Sequence, residues 1–242
     1  MKNRRILVTG ATGGIGEAIA ERLYADGASV ILTGRNEAKL TETAARLGER
    51  CTWLSCDLSR VDSAAAMMDA VIADGGFDTL INCAGVLSPK DRSGDFLSYT
   101  EEEFDAVFAV NVKGVYFLCQ RAIRYMIEKE IHGNILNIAS EMGFRAAAGA
   151  YHLSKGVVVQ LTRGLGRSFA PNGIVVNGIA PGPVNTPMIG ITEDTPAFHG
   201  EIPNRRYASP KEIAALASFM VRSEGRNLVG EVVISDGGDH LH

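Results

Sequence analysis

Seven short runs rich in β-branched residues alternate with longer amphipathic stretches along this chain, and this alternation restricts its possible folds most strongly. The runs are ILVT at 6–9, SVILT at 29–33, TWLSC at 52–56, DTLIN at 78–82, NILNI at 134–138, IVVNGI at 174–179 and VVIS at 232–235. The helical stretches are 15–25, 36–47, 62–73, 101–129, 151–169 and 210–222. Such alternation predicts an α/β fold of Rossmann type, a doubly wound parallel sheet with helices on both faces.

Length and charge narrow the class of protein. A chain of 242 residues without linkers or repeats is expected to form one domain, 1–242. A net charge of −4 with mixed signs argues against nucleic acid as a partner, and no window approaches the apolar length of a membrane span. The start, MKNRRILVTG, lacks the apolar region of a signal peptide, which suggests the cytoplasm. The four cysteines form no CxxC pair or Cys/His cluster, so we expect no metal site.

A glycine-rich loop, TGATGGIG at 9–16, lies between the first predicted strand and the first helix. Gly10 permits a tight turn, while Gly14 and Gly16 let the backbone approach a pyrophosphate at the positive end of the helix. Thr12 and Ile15 belong to the same loop. The sequence therefore predicts a dinucleotide site, the alternative being a turn that serves only chain geometry.

The end of the second strand bears on which dinucleotide is bound. NAD sites often carry an acidic residue here for the ribose 2′-hydroxyl, whereas NADP sites bring in an arginine for the 2′-phosphate. This chain has no acidic residue there and has Arg35. We therefore expect NADP(H) as the preferred cofactor and NAD(H) as a possible one, unless Arg35 is only a solvated residue at a helix start.

Two further strand ends carry candidate cofactor contacts. The third strand is followed by Asp57 and Leu58, and a carboxylate here could accept a hydrogen bond from an adenine amino group. Asp57 could equally be the N-cap of the next helix. The fourth strand ends in NCAG, whose Asn82, Ala84 and Gly85 would let the cofactor lie against the backbone.

Tyr151 and Lys155, in YHLSK, are one helical turn apart and therefore share a face. A free tyrosine has a pKa near 10, so proton transfer near neutrality requires a shift of about three units, roughly 4 kcal/mol. A nearby ammonium and a cationic nicotinamide can both stabilise the phenolate. An isolated YxxxK pattern would more often be a helix tyrosine beside an unrelated surface lysine.

These motifs occur together and in order. TGATGGIG, NCAG, Asn111, NIAS at 137–140, YHLSK and PGPVNTP at 181–187 resemble the short-chain dehydrogenase/reductase family over residues 4–238. The chain is similar to the compact subclass of about 250 residues, since it has no room for the C-terminal substrate domain of the epimerase-like subclass. The resemblance implies the strand order 3-2-1-4-5-6-7 and oxidation or reduction at a CH–OH or C=O group.

The resemblance also implies roles for matching residues. Tyr151 would be the general acid and base, Lys155 would lower its pKa and hold the nicotinamide ribose, and Ser140 would bond the substrate oxygen. Asn111 would hold a water in a proton relay, although it could instead be a polar residue that kinks its helix. The remaining implied cofactor contacts are Ile138, Pro181, Gly182, Val184 and Thr186, of which Thr186 could be only a turn residue.

The sequence departs from the family pattern at two places. Ser140 precedes Tyr151 by eleven positions, about two fewer than usual, which shortens one wall of the substrate pocket. NCAG also replaces the commoner NNAG.

We expect segment 187–207 to form a lid over a small-molecule carbonyl or alcohol substrate. One alternative is a 3-oxoacyl-[acyl-carrier-protein] reductase, which EKEIHGN and APNGI disfavour because they carry little positive charge. Another is a non-catalytic NADP(H)-sensing protein. Stretches 101–129 and 151–169 are apolar on several faces, which together with the resemblance favours a homotetramer of D₂ symmetry, or else a dimer.

Overall fold

The computed structural model of the protein describes residues 1–93, 95–190 and 200–241. Its strands are β1 (Arg5–Thr9), β2 (Ser29–Gly34), β3 (Cys51–Ser55), β4 (Thr79–Asn82), β5 (Asn134–Ile138), β6 (Val175–Pro181) and β7 (Val232–Ser235). Its helices are α1 (Gly14–Ala25), α2 (Glu37–Leu47), α3 (Val61–Ala73), α4 (Pro89–Ser93), α5 (Glu101–Phe108), α6 (Val115–Glu128), α7 (Ala150–Phe169) and α8 (Pro210–Val221). All seven predicted strands are present, each within two residues of its predicted bounds.

The strands form one parallel sheet in the order β3-β2-β1-β4-β5-β6-β7, which confirms the predicted fold. The strand order reverses between β1 and β4: β2 and β3 are added on one side of β1, and β4 to β7 on the other. At the end of β1, Thr9 pairs with Thr33 of β2 on one side and with Asn82 of β4 on the other. A ligand crevice is expected outside the carboxyl ends at such a switch point.

Both faces of the sheet are buried. Ile6 and Val8 of β1 pack into a core with α1 and α8, while Leu7 between them packs into a second core with α3 and α6. Alternate side chains of a strand point to opposite faces, so helices must cover both sides. In the described part of the chain, no helix combines the length and apolarity needed to cross a membrane.

The predicted helix over 101–129 is wrong in one respect, since it is interrupted by a π-helical turn, Ala109–Gly114, between α5 and α6. Gly114 allows this turn to approach the segment after β3, because an added Cβ would lie only 2.6 Å from the carbonyl oxygen of Leu58. Turns of this kind inside α-helices occur frequently at functional sites. Asn111 lies within the turn and is fully buried.

Candidate active site

A cleft of about 560 Å³ runs along the carboxyl ends of the central strands. It is lined by every candidate site residue from the sequence except Asn82 and Asn111, which are buried away from its lining. The sheet thus brings together segments that are up to about 180 positions apart in the chain, because parallel strands end at the same edge.

The glycine loop is shaped for a close ligand. Gly10 has φ +66° and would place a Cβ 2.7 Å from the backbone of Ala84, so a larger residue is excluded by both conformation and space. Helix α1 begins at Gly14, and its N-cap, Gly13, has no side chain to satisfy the first N–H groups. These features fit the pyrophosphate of a dinucleotide.

Thr9 explains why the NCAG turn lies against this loop. Its Oγ1 accepts hydrogen bonds from the amides of Cys83 and Ala84 at 3.1 and 3.2 Å. Asn82 plays a different part from the predicted cofactor contact, because its Nδ2 donates to Oδ1 of Asn137 on β5 at 2.8 Å. Thr9 was missed by sequence reasoning, although the threonine that opens TGATGGIG was a visible signal.

Arg35 is exposed and lines the cleft where β2 ends, with Asp57 nearby. Hydrogen bonds from the hydroxyl and amide of Ser59 lower the pKa of Asp57, and the charge of Arg35 acts in the same direction. Helix α3 begins with Arg60 as its N-cap, so Asp57 does not cap it. Lys39, which the sequence analysis missed, lines the same region from the first turns of α2 and forms an ion pair of 3.7 Å with Glu17.

Tyr151, Lys155 and Ser140 come together at the other end of the cleft. Lys155 is buried, with its Nζ 5.6 Å from the centroid of the Tyr151 ring and 2.9 Å from the carbonyl oxygen of Ile138, to which it donates. Ser140 is also buried, and its hydroxyl is close enough to Tyr151 to act on the pKa of the phenol. The helical spacing of YHLSK and the end of β5 therefore produce a hydroxyl–phenol–amine group.

Burial dominates the ionisation of this group. It raises the pKa of Tyr151 to about 12, although the hydroxyl of Ser140 acts to lower it, and it lowers the pKa of Lys155 to about 8. The lowering of the pKa of Tyr151 by Lys155 therefore stays a prediction. The predicted tuning requires the positive charge of an oxidised nicotinamide as well.

Asn111 has all its side-chain groups engaged. Its Oδ1 accepts the amide of Val86 at 2.9 Å, while its Nδ2 donates to the carbonyl of Val86 at 2.8 Å and to the hydroxyl of Ser154 at 3.0 Å. Asn111 thus joins the turn after β4 to α7. It also lies where the helix is interrupted, as expected if it were a polar residue that kinks its helix. Its role in a proton relay stays a prediction.

The segment after β6 closes one side of the cleft. Pro181, Gly182, Val184 and Thr186 line it, and a Cβ on Gly14 would lie 2.7 Å from the methyl group of Thr186. Met188 at the start of the predicted lid also lines the cleft, whereas residues 191–199 of that lid are outside the described residues.

The shortened loop before Tyr151 contains a charged pair that the sequence analysis missed. Glu141, next to Ser140, is 1% exposed and pairs with Arg145, which also pairs with Asp239 near the C-terminus. Burial raises the pKa of Glu141, and Arg145 opposes that rise. The i, i+4 spacing of Glu141 and Arg145 was the available signal.

Comparison with known proteins agrees with this geometry. Residues 10–240 match a family model described as enoyl-(acyl carrier protein) reductase. A curated relative, the short-chain reductase protein NovJ of Streptomyces niveus, is 36% identical over 96% of this chain and 92% of its own.

Two solved structures are similar throughout. A 3-ketoacyl-(acyl-carrier-protein) reductase from Brucella melitensis, complexed with NADH, is 28% identical with a TM-score of 0.87 and 99% coverage of both chains. A variant of actinorhodin polyketide ketoreductase with NADPH is 30% identical with a TM-score of 0.90 and full coverage of both chains.

Proposed function

Because the chain belongs to the short-chain dehydrogenase/reductase family and is an NAD(P)-dependent oxidoreductase, we propose that it interconverts a ketone and a secondary alcohol, using NADP(H) and Tyr151. The observation that carries the proposal is the grouping of Ser140, Tyr151 and Lys155 at one end of a cleft whose other end is a glycine loop. A glycine loop alone would suit any dinucleotide-binding protein, whereas the buried phenol and amine suit proton transfer.

The bound nicotinamide supplies or accepts the hydride. The hydroxyls of Ser140 and Tyr151 orient the substrate oxygen and stabilise the charge that develops on it. Tyr151 donates its proton to this oxygen in the reductive direction and accepts it in the oxidative direction. Lys155, held by the carbonyl of Ile138, keeps a positive charge close to the phenol.

Arg35 and Lys39 support a preference for NADP(H). Both line the adenosine end of the cleft and no acidic residue follows β2 at this point. Two cations suit a 2′-phosphate better than a 2′-hydroxyl, because the phosphate is charged and accepts several hydrogen bonds. NAD(H) remains compatible with the rest of the cleft.

Exposed apolar side chains support self-association into the tetramer. One group lies on α5, α6 and α7 and a second on α8 and before β7; they are Phe104, Tyr116, Phe117, Leu153, Val157, Phe219 and Val229. Faces of this kind mark contact surfaces. Sedimentation of V157E should show smaller particles than the wild type, and an unchanged mass would count against this face.

The test is a panel of ethyl acetoacetate, cyclohexanone, 2-butanol and glucose, assayed at 340 nm with both cofactors. We expect turnover of at least one probe by the wild type and a loss of at least about a thousandfold in Y151F, because the proton donor is removed. Tyr24, on α1 and outside the cleft lining, gives the matched control Y24F, which should keep full activity. Equal activity of Y151F and the wild type would refute the role of Tyr151. Cofactor binding without turnover of any ketone or alcohol would instead favour the sensing protein.

A further inference from the structure

The helix that carries Tyr151 begins without a cap of its own. Its N-cap is Gly149, which has no side chain to satisfy the first N–H groups. By contrast, α5 and α8 begin with complete capping boxes at Thr100 and Ser209. Tyr151 lies in this uncapped first turn of α7, so the placement of the phenol depends on how well that turn is held.

Asp91, in the short helix α4 that follows β4, provides the missing acceptor. Its Oδ1 accepts the amide of Tyr151 at 2.9 Å, and its Oδ2 accepts the amide of Ser88 at 2.8 Å. A carboxylate that bonds a first-turn amide acts as a helix cap, although it usually comes from the N-cap residue itself. Here it comes from 60 positions earlier in the chain.

Gly149 makes room for this arrangement. An added Cβ at Gly149 would lie 2.7 Å from Oδ1 of Asp91. The backbone of Gly149, with φ −65° and ψ 145°, is ordinary extended chain that any residue adopts. Space for the carboxylate, rather than backbone conformation, therefore explains a glycine at the start of α7.

We propose that Asp91 is a positioning residue, which caps α7 from the neighbouring helix α4 and thereby fixes the turn that carries Tyr151. The segment from Val86 to Asp91 is held at both ends, since Asn111 binds Val86 and also Ser154 of α7, while Asp91 binds Tyr151. Residues 86–91 thus hold the first turns of α7 in place. The effect of the cap on catalysis rests on the proposed function, whereas the capping of α7 by Asp91 does not depend on it.

Hydrogen exchange of the amides in 150–155, followed by mass spectrometry on the intact full-length protein, tests the cap directly. In D91A these amides should exchange about tenfold faster, because the first turn loses its acceptor. In D91N the acceleration should be smaller than in D91A, because the single amide oxygen can still accept one of the two amides that the carboxylate holds. D105A, which alters an exposed aspartate on α5, is the control and should change nothing in this segment. Unchanged exchange in D91A would overturn the proposal.

Substitutions at Gly149 provide an independent test. G149A should accelerate exchange much as D91A does, because the new methyl group displaces the carboxylate. The double variant D91A/G149A should be no worse than either single one. D91A/G149S should recover most of the protection, since a serine at the N-cap supplies its own acceptor where Asp91 no longer occupies the space. Additive effects of D91A and G149A would contradict a shared mechanism.

Kinetics on whichever panel probe the wild type turns over complete the test. For D91A we expect kcat to fall about tenfold while KM for the cofactor is unchanged, since the glycine loop is untouched. D91N should restore part of kcat, since its one amide oxygen can still accept the amide of Tyr151. Lost protection with an unchanged kcat would refute positioning. If the wild type turns over no probe, the proposed function fails, and the exchange results alone decide whether Asp91 caps α7.

Discussion

The buried lysine of the candidate site should destabilise the fold, and replacing it should show this. Lys155 is 4% exposed, and burial lowers its pKa from 10.5 to about 8. Each pKa unit corresponds to about 1.4 kcal/mol, so the charged amine costs about 3 kcal/mol in the folded state at pH 7. K155M removes that cost but leaves the carbonyl of Ile138 without its donor, a loss of about 1 kcal/mol. The net expectation at pH 7 is a gain of about 2 kcal/mol, accompanied by loss of activity.

The sign of the effect depends on pH. Below pH 8 the amine is protonated in both the folded and the unfolded protein, so the wild type bears the full cost. As pH rises from 8 towards 10.5, the folded protein loses its proton before the unfolded one, and the wild type becomes more stable relative to K155M. The advantage of K155M should therefore fall from about 2 kcal/mol at pH 7 to about zero at pH 10.

Urea unfolding followed by circular dichroism at pH 7, 8.5 and 10 measures this difference. For a chain of this length, the gain at pH 7 corresponds to a rise in Tm of roughly 4 to 8 °C. K113M, at an exposed lysine in the π-helical turn, controls for the loss of a positive charge and should show no such trend. A K155M variant less stable than the wild type at pH 7, or a difference equal at pH 7 and pH 10, would refute the reasoning.

Three further predictions concern the cofactor cleft and its surroundings. R35A should raise KM for NADPH at least about tenfold more than KM for NADH, in steady-state assays with each cofactor; equal effects would contradict a 2′-phosphate contact. G16A should lose about 2 kcal/mol or more in urea unfolding and weaken NADPH binding in a fluorescence titration, because the new Cβ would lie 2.2 Å from the carbonyl oxygen of Gly10. R145M should cost about 2 kcal/mol at pH 7 because it leaves Glu141 buried without its partner. Since burial raises the pKa of Glu141, this cost should shrink as the pH is lowered to 5 and the carboxyl takes up a proton, and a constant cost would refute that account.

Local pattern was enough to predict the sheet and the grouping of Ser140, Tyr151 and Lys155 in one cleft. The β-branched runs gave the strands, and the carboxyl ends of β1, β5 and β6 placed Gly10, Ser140 and Pro181 in one cleft because parallel strands share an edge. The helical period placed Tyr151 and Lys155 on one face.

Other features depend on contacts that no local pattern reveals. Asn82 belongs to a strand buried on both faces, where alternation is lost and the direction of a side chain cannot be predicted from sequence. The cap on Tyr151 comes from Asp91, 60 positions away, and Arg145 meets Asp239 across 94 positions. The π-helical turn at Asn111 depends on its packing against Leu58, which the apolar pattern of 101–129 does not encode.

The three hydrogen bonds of Asn111 also distinguish residues that should be kept in a redesign from loops whose sequence can be changed. One amide fastens the turn after β4 to α7 at a single buried point, and none of its three hydrogen bonds involves the segment 187–207. Exchanging residues 187–207 for the corresponding loop of a relative should therefore alter which carbonyl compounds are accepted while the hydride and proton steps keep their geometry. Redesign for a new substrate is best confined to that segment.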